Sequence, residues 1–143
     1  MRPEASPPRK NVVLIVEDDP WTRVVMTALL AGEGYAVVET GKGEDSLNLA
    51  AIHRPDVVLL DLALPTMSGL DVLHALKQAP TTAAIPVVVV SAYGSLMKDT
   101  DTRHAAAVVG KPFDYDDLLR AIEGALDRAA TASLAEIVPA SSS

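Results

Sequence analysis

Val12-Val13-Leu14-Ile15-Val16-Glu17-Asp18-Asp19-Pro20 carries an unbroken aliphatic run, mostly β-branched, straight into three acids and a proline. A run that is apolar at every position, rather than at alternate ones, suits a strand covered on both faces, as in a parallel sheet. Asp19-Pro20 then reads as a helix N-cap followed by proline at the first helical position. The same construction recurs downstream. Val57-Val58-Leu59-Leu60 stops at Asp61, and Pro86-Val87-Val88-Val89-Val90 stops at Ser91. Two shorter runs, Tyr35 to Val38 and Ala107 to Val109, complete a set of five, the last running on to Lys111-Pro112.

Helical patterns separate these strands. The first helix is expected to turn Val24, Val25, Ala28 and Leu29 inward and to end at Gly32 and Gly34. The second, Glu44 to His53, places Leu47, Ala50 and Ala51 inward and stops at Pro55. A third passes through Leu70, Leu73, Leu76 and Lys77. The last runs from about Asp114 to Ala129, with positions 115, 118, 119, 122 and 126 at helical spacing. Five strands alternating with helices predict an α/β fold, a doubly wound parallel sheet built from right-handed crossovers. The functional crevice of such a sheet lies beyond the carboxyl ends of its strands.

The 143 residues suit one domain. With aromatics at only 3%, the core is aliphatic. Net charge is −7, with 19 acids against 12 bases, so a nonspecific grip on nucleic acid phosphates is not expected. Cysteine is absent, which excludes disulfides and thiolate chemistry. No apolar run has membrane-span length, and Met1 to Lys10 lacks the apolar stretch of a secretory signal, so a cytoplasmic location is expected. The Pro-rich residues 1–10 read as a disordered tail, 11–128 as the folded domain, and the Ala/Ser-rich residues 129–143 as a second tail.

The polar residues that end the strands carry the chemistry. Glu17 and Asp18 follow the first strand, Asp61 the third, Ser91 the fourth and Lys111 the fifth. Converging carboxylates repel one another unless a hard cation such as Mg²⁺ joins them through oxygen ligands. A carboxylate beside such a cation is a nucleophile toward phosphorus, giving an aspartyl phosphate. Lys111 would add a mobile positive charge and Ser91 a hydroxyl donor. Pro112 biases Lys111 toward extended backbone.

Val16-Glu17-Asp18-Asp19-Pro20, Pro55 through Asp61 to Pro65 and Gly69, Val90-Ser91-Ala92 and Lys111-Pro112-Phe113 together resemble the receiver domain of two-component response regulators. The resemblance covers roughly residues 11–128. It implies a flavodoxin-like sheet in strand order 2-1-3-4-5 with about five helices. It also implies that Asp61 accepts a phosphoryl group from a phosphohistidine on a sensor histidine kinase or phosphotransfer protein. Asp18 and Asp61 would ligate Mg²⁺ directly, Glu17 through water, and Ala63 through its backbone carbonyl. Leu62, Ser91, Ala92 and Lys111 would hold the phosphoryl group, with Ser91 as the conformational switch. Signalling would run through protein contacts with an output partner, without direct nucleic acid binding and without a membrane. The protein would be a single-domain regulator and not a turnover enzyme.

Two features depart from the family pattern. Val108 stands where a switch aromatic is usual, so propagation by a loop or helix rearrangement is expected. The spacing from Ser91 to Lys111 is short, and segment 94–106 has few large apolar residues, so a short or mobile fourth helix is expected there. Ala63 stands where a phosphatase of similar fold carries a second aspartate, which argues against turnover. Two other readings are a phosphorylation-independent interaction module and a receiver fragment of a longer protein. Trp21 reads as a surface indole. His53, His74 and His104 show no second ligand at metal-binding spacing.

Overall fold

The computed structural model describes residues 10–92 and 103–137. Its elements alternate as β1 (Val12–Val16), α1 (Pro20–Gly32), β2 (Ala36–Thr40), α2 (Gly43–His53), β3 (Val57–Leu60), α3 (Gly69–Gln78), β4 (Val87–Ser91), β5 (Ala107–Gly110) and α4 (Tyr115–Ile137). The five strands form one sheet in the order β2-β1-β3-β4-β5, all pairs parallel. Residues 93–102, most of the segment expected to hold the short or mobile fourth helix, lie outside the described residues.

The unbroken apolar runs are buried on both faces. Val13, Ile15, Val57, Leu59, Val88 and Val90 pack against Met26 and Leu30 of α1 and Leu118, Ile122 and Ala125 of α4. Their neighbours Leu14, Val16, Val58, Leu60 and Val87 pack on the other side against Ala50 of α2 and Val72, Leu73 and Leu76 of α3. Each such buried aliphatic side chain contributes roughly 1.5–3 kcal/mol of transfer free energy.

Two expected helix faces are corrected. On α1 the inward residues are Met26 and Leu30, while Val24 is 55% exposed and Val25 37% exposed. Polar anchors set this rotation. Arg23 donates to the Glu17 carbonyl and, with Thr27, to the Glu39 carboxylate on β2. That fixes one flank of the helix toward the sheet edge and leaves Val24, Val25 and Ala28 outside. On α2 the inward polar residue is Ser46, which donates to the Gly43 carbonyl, and Ala51 is exposed.

Helix α4 does not stop near Ala129 but continues to Ile137. Its continuation, Ala129-Ala130-Thr131-Ala132, is rich in the best helix former. Tyr115 at its start donates to the Leu29 carbonyl at 2.9 Å, tying α4 to α1.

Candidate functional site

Parallel pairing brings the carboxyl ends of β1, β3, β4 and β5 to one edge. Val16 lies opposite Leu60, Leu60 opposite Val89, and Ser91 opposite Gly110. The next residues on each strand therefore meet. The Asp61 amide donates to the Val16 carbonyl at 3.0 Å, and the Glu17 amide to the Thr40 carbonyl at 3.0 Å, extending the sheet one step into the site.

Glu17, Asp18 and Asp61 each bring a carboxylate oxygen within 4.8 Å of the others. Glu17 and Asp61 are buried, at 2% and 6% exposure, and Asp18 is exposed. The Lys111 ammonium lies 2.5 Å from Glu17 Oε1 and 3.2 Å from Asp61 Oδ2. Asp61 Oδ1 accepts the Ala63 amide at 3.0 Å, and Glu17 Oε2 accepts the Asp19 amide at 3.2 Å. One ammonium thus pairs with two of the three carboxylates. Burial pushes the Glu17 carboxyl from 4.5 up to about 7; its bond to Lys111 pulls the other way, and Asp61 beside it adds to the rise. For Lys111, burial alone would lower the pKa, but the bond to Glu17 and the charge of Asp61 outweigh it and raise the value.

The structure also places the other expected residues. Ser91 is buried at the end of β4, and its carbonyl accepts the Lys111 amide at 3.4 Å. Ala92 follows it and is exposed. Leu62 is half-buried, and its carbonyl accepts the Gly69 amide at 3.0 Å, folding the loop after β3 back on itself. Ala63 is exposed in that loop. The Lys111-Pro112 peptide is cis. Val108 is not at the acids. It is 39% exposed on edge strand β5, on the wall of a groove of about 430 Å³ shared with Phe113 and Ala121.

Two arrangements escaped the sequence reading. Trp21, 74% exposed, stands with Val24 and Val25 as an apolar patch on α1, beginning two residues after the acidic cluster. His74 of α3 and His104 lie with ring centroids 5.5 Å apart, edge to face, where the sequence spacing indicated no second histidine. The histidine pair has no local signal, because it joins two separate segments; the α1 patch has helical spacing, but that spacing does not decide which stripe faces out.

Three carboxylates and a lysine thus meet at the carboxyl ends of a doubly wound parallel sheet. The family description "Response regulator receiver domain" matches residues 13–123, and the chain belongs to this family. It is 35% identical over 128 residues to the transcriptional regulatory protein PdtaR of Mycobacterium tuberculosis, covering 87% of this chain and 60% of that protein. The chain thus spans less than two thirds of that relative's length. It is 31% identical over 113 residues to sporulation initiation phosphotransferase F of Bacillus subtilis, covering 78% of this chain and 90% of that protein. With protein PilH of Pseudomonas aeruginosa it shares 33% over 121 residues, covering 80% and 96%.

Among solved structures, the signal receiver domain of a Luxo repressor protein from Vibrio parahaemolyticus superposes with a TM-score of 0.78 at 28% identity, covering 90% of this chain and 98% of that one. The response regulator TrrA of Thermotoga maritima, in complex with Mg(2+)-BeF, gives 0.74 at 27% identity, covering 81% and 99%. The class of protein is therefore a two-component receiver. Among the described residues, no helix is long and apolar enough to cross a membrane.

Proposed function

We propose that this chain acts as a single-domain response regulator, accepting a phosphoryl group on Asp61 from the phosphohistidine of a sensor kinase or phosphotransfer protein. The observation that carries this reading is the buried Asp61 carboxylate, held by the Ala63 amide on one oxygen and by Lys111 on the other, within 4.8 Å of two further acids. In the transfer, an Asp61 oxygen attacks phosphorus, the new O–P bond forms and the P–N bond to the donor imidazole breaks. Lys111 is already placed to follow the negative charge from carboxylate to phosphoryl oxygen. Ser91 supplies a hydroxyl donor from the neighbouring strand.

The donor set fits Mg²⁺: the three carboxylates are hard oxygen ligands, and a single lysine leaves them under-neutralised. Glu17, Asp18 and Asp61 would hold the ion, with the Ala63 carbonyl as a further ligand. When bound, Mg²⁺ supplies charge neutralisation for the transferred group. Trp21, Val24 and Val25, exposed on the helix that begins just after the acids, suit a protein donor seated on α1. Ala63 adds no second carboxylate for hydrolytic turnover, which favours a signalling domain over a turnover enzyme. With valine at position 108, that signal spreads by a loop or helix rearrangement rather than by an aromatic turning inward, and it reaches an output protein through protein contacts.

Incubation with Mg²⁺ and a small phosphodonor, read by intact mass, tests the assignment. One phosphoryl group should be gained by the wild type and none by Asp61→Asn. Sustained phosphate release from many substrates would instead identify a phosphatase, and the absence of any modification an interaction module that works without phosphorylation.

A further inference from the structure

We propose that a groove at the opposite end of the sheet binds a doubly charged oxyanion, a phosphate group either free or carried on a small metabolite. The groove, of about 260 Å³, lies between α3, the residues leading into β4 and β5, and α4. Lys77, Arg103, His104 and Arg128 line it, and no carboxylate does among the described residues. In a chain with 19 acids and 12 bases, this is a local reversal of charge. It opens beside Pro86 and Ala106, which precede β4 and β5, whereas Asp61 and Lys111 follow the strands. The two sites therefore sit at opposite strand ends, roughly 15 Å apart along a strand of this length.

Two of the cations are held by carbonyls, which do not neutralise them. The Lys77 ammonium donates to the carbonyls of Ala83 at 3.2 Å and Ile85 at 2.6 Å, and burial lowers its pKa. Arg128 donates to the Ala106 carbonyl at 2.8 Å, which leaves most of its five N–H groups available. His104 packs edge to face on His74 and extends the basic wall. Arg23, Lys111 and Arg120 form ion pairs with carboxylates, whereas among the described residues Lys77, Arg103 and Arg128 form none. Carbonyls satisfy hydrogen bonds but not charge, and a partly buried cation without a counter-charge is stabilised by an anion brought to it. Two guanidinium forks beside a compact ammonium suit a tetrahedral phosphate better than a planar carboxylate.

An amide-resolved NMR titration of the full chain in EDTA tests this, using inorganic phosphate, sulfate and glucose 6-phosphate at ionic strength matched with chloride. Saturable shifts are expected at Ala84, Ala105, Ala106 and Ala129 with sulfate and with phosphate. Affinity should fall at least tenfold in Arg103→Ala combined with Arg128→Ala, and by a smaller factor in the exposed single variant Arg103→Ala, whose fold is checked by far-UV circular dichroism. Saturation by inorganic phosphate and the ester alike would assign the site to the free group, and saturation by the ester alone to a metabolite. Shifts that grow linearly, match those of chloride, or fall only around Asp61 and Lys111 would overturn the proposal.

Discussion

At Gly69 an added methyl group has nowhere to go. A Cβ there would lie 2.4 Å from Leu62 Cα and 2.5 Å from the Asp61 carbonyl, both backbone atoms. Gly69→Ala must therefore push the Asp61–Leu62 backbone aside. The expected cost is about 1–3 kcal/mol in urea denaturation, accompanied by weaker beryllofluoride binding. Crowded carboxylates make the opposite prediction at Asp61 itself. Asp61→Asn leaves Lys111 paired with Glu17 and removes one of three like charges, so in EDTA it should stabilise the fold, on the order of 1 kcal/mol. Mg²⁺ at a hundred times its dissociation constant should stabilise the wild type by about 2.7 kcal/mol and the variant by much less, measured by the same denaturation curves. Glu17, Asp18, Asp61, Ser91 and Lys111 were legible in the sequence because each ends an apolar run. The reach of Lys111 to Glu17, across 94 positions, was not, because it depends on side-chain geometry between non-neighbouring strands.

Helix α1 shows where element-level reading fails and why. Residues 24–30 carry apolar side chains on two overlapping stripes, so helical periodicity alone admits either face. The choice was made by Arg23 and Thr27 reaching Glu39 on a strand whose position relative to the helix no local pattern encodes. The two stripes should respond very differently to truncation. Leu30→Ala, at a fully buried position, is expected to cost 2–5 kcal/mol, within the usual range of about that size for core leucines. Val25→Ala is expected to change stability by no more than about 0.5 kcal/mol, as exposed substitutions generally do. Denaturant titration of both variants checks the rotation of the helix directly. At α4 the opposite holds: the alanine-rich continuation past Ala129 was visible in composition, but the same composition also fits a linker, and propensity proved the better guide.

Across the whole molecule the sheet separates two helical layers while its strands belong to both. Alternation of strands and helices made a doubly wound parallel sheet legible, but alternation is compatible with several strand orders. The order 2-1-3-4-5 followed from the motif resemblance and is the order of the sheet. Its consequence is mechanical. In β3, Leu59 packs with α1 and α4, and Leu60 with α2 and α3, so adjacent residues of one buried strand anchor opposite layers. Neither layer can lose its packing without exposing the strand that the other is built on. Leu59→Ala and Leu60→Ala should therefore each cost about 2–5 kcal/mol. Each should also lower the urea midpoint of one common transition with an unchanged slope, since the slope tracks the surface exposed on unfolding. Far-UV circular dichroism and amide exchange at α1 and α3 provide independent readings of the two layers. If Leu60→Ala released α3 while α1 stayed protected, the layers would be separable units. Asp61, which stands immediately after Leu60, would then belong to the weaker of the two rather than to the cooperative sheet.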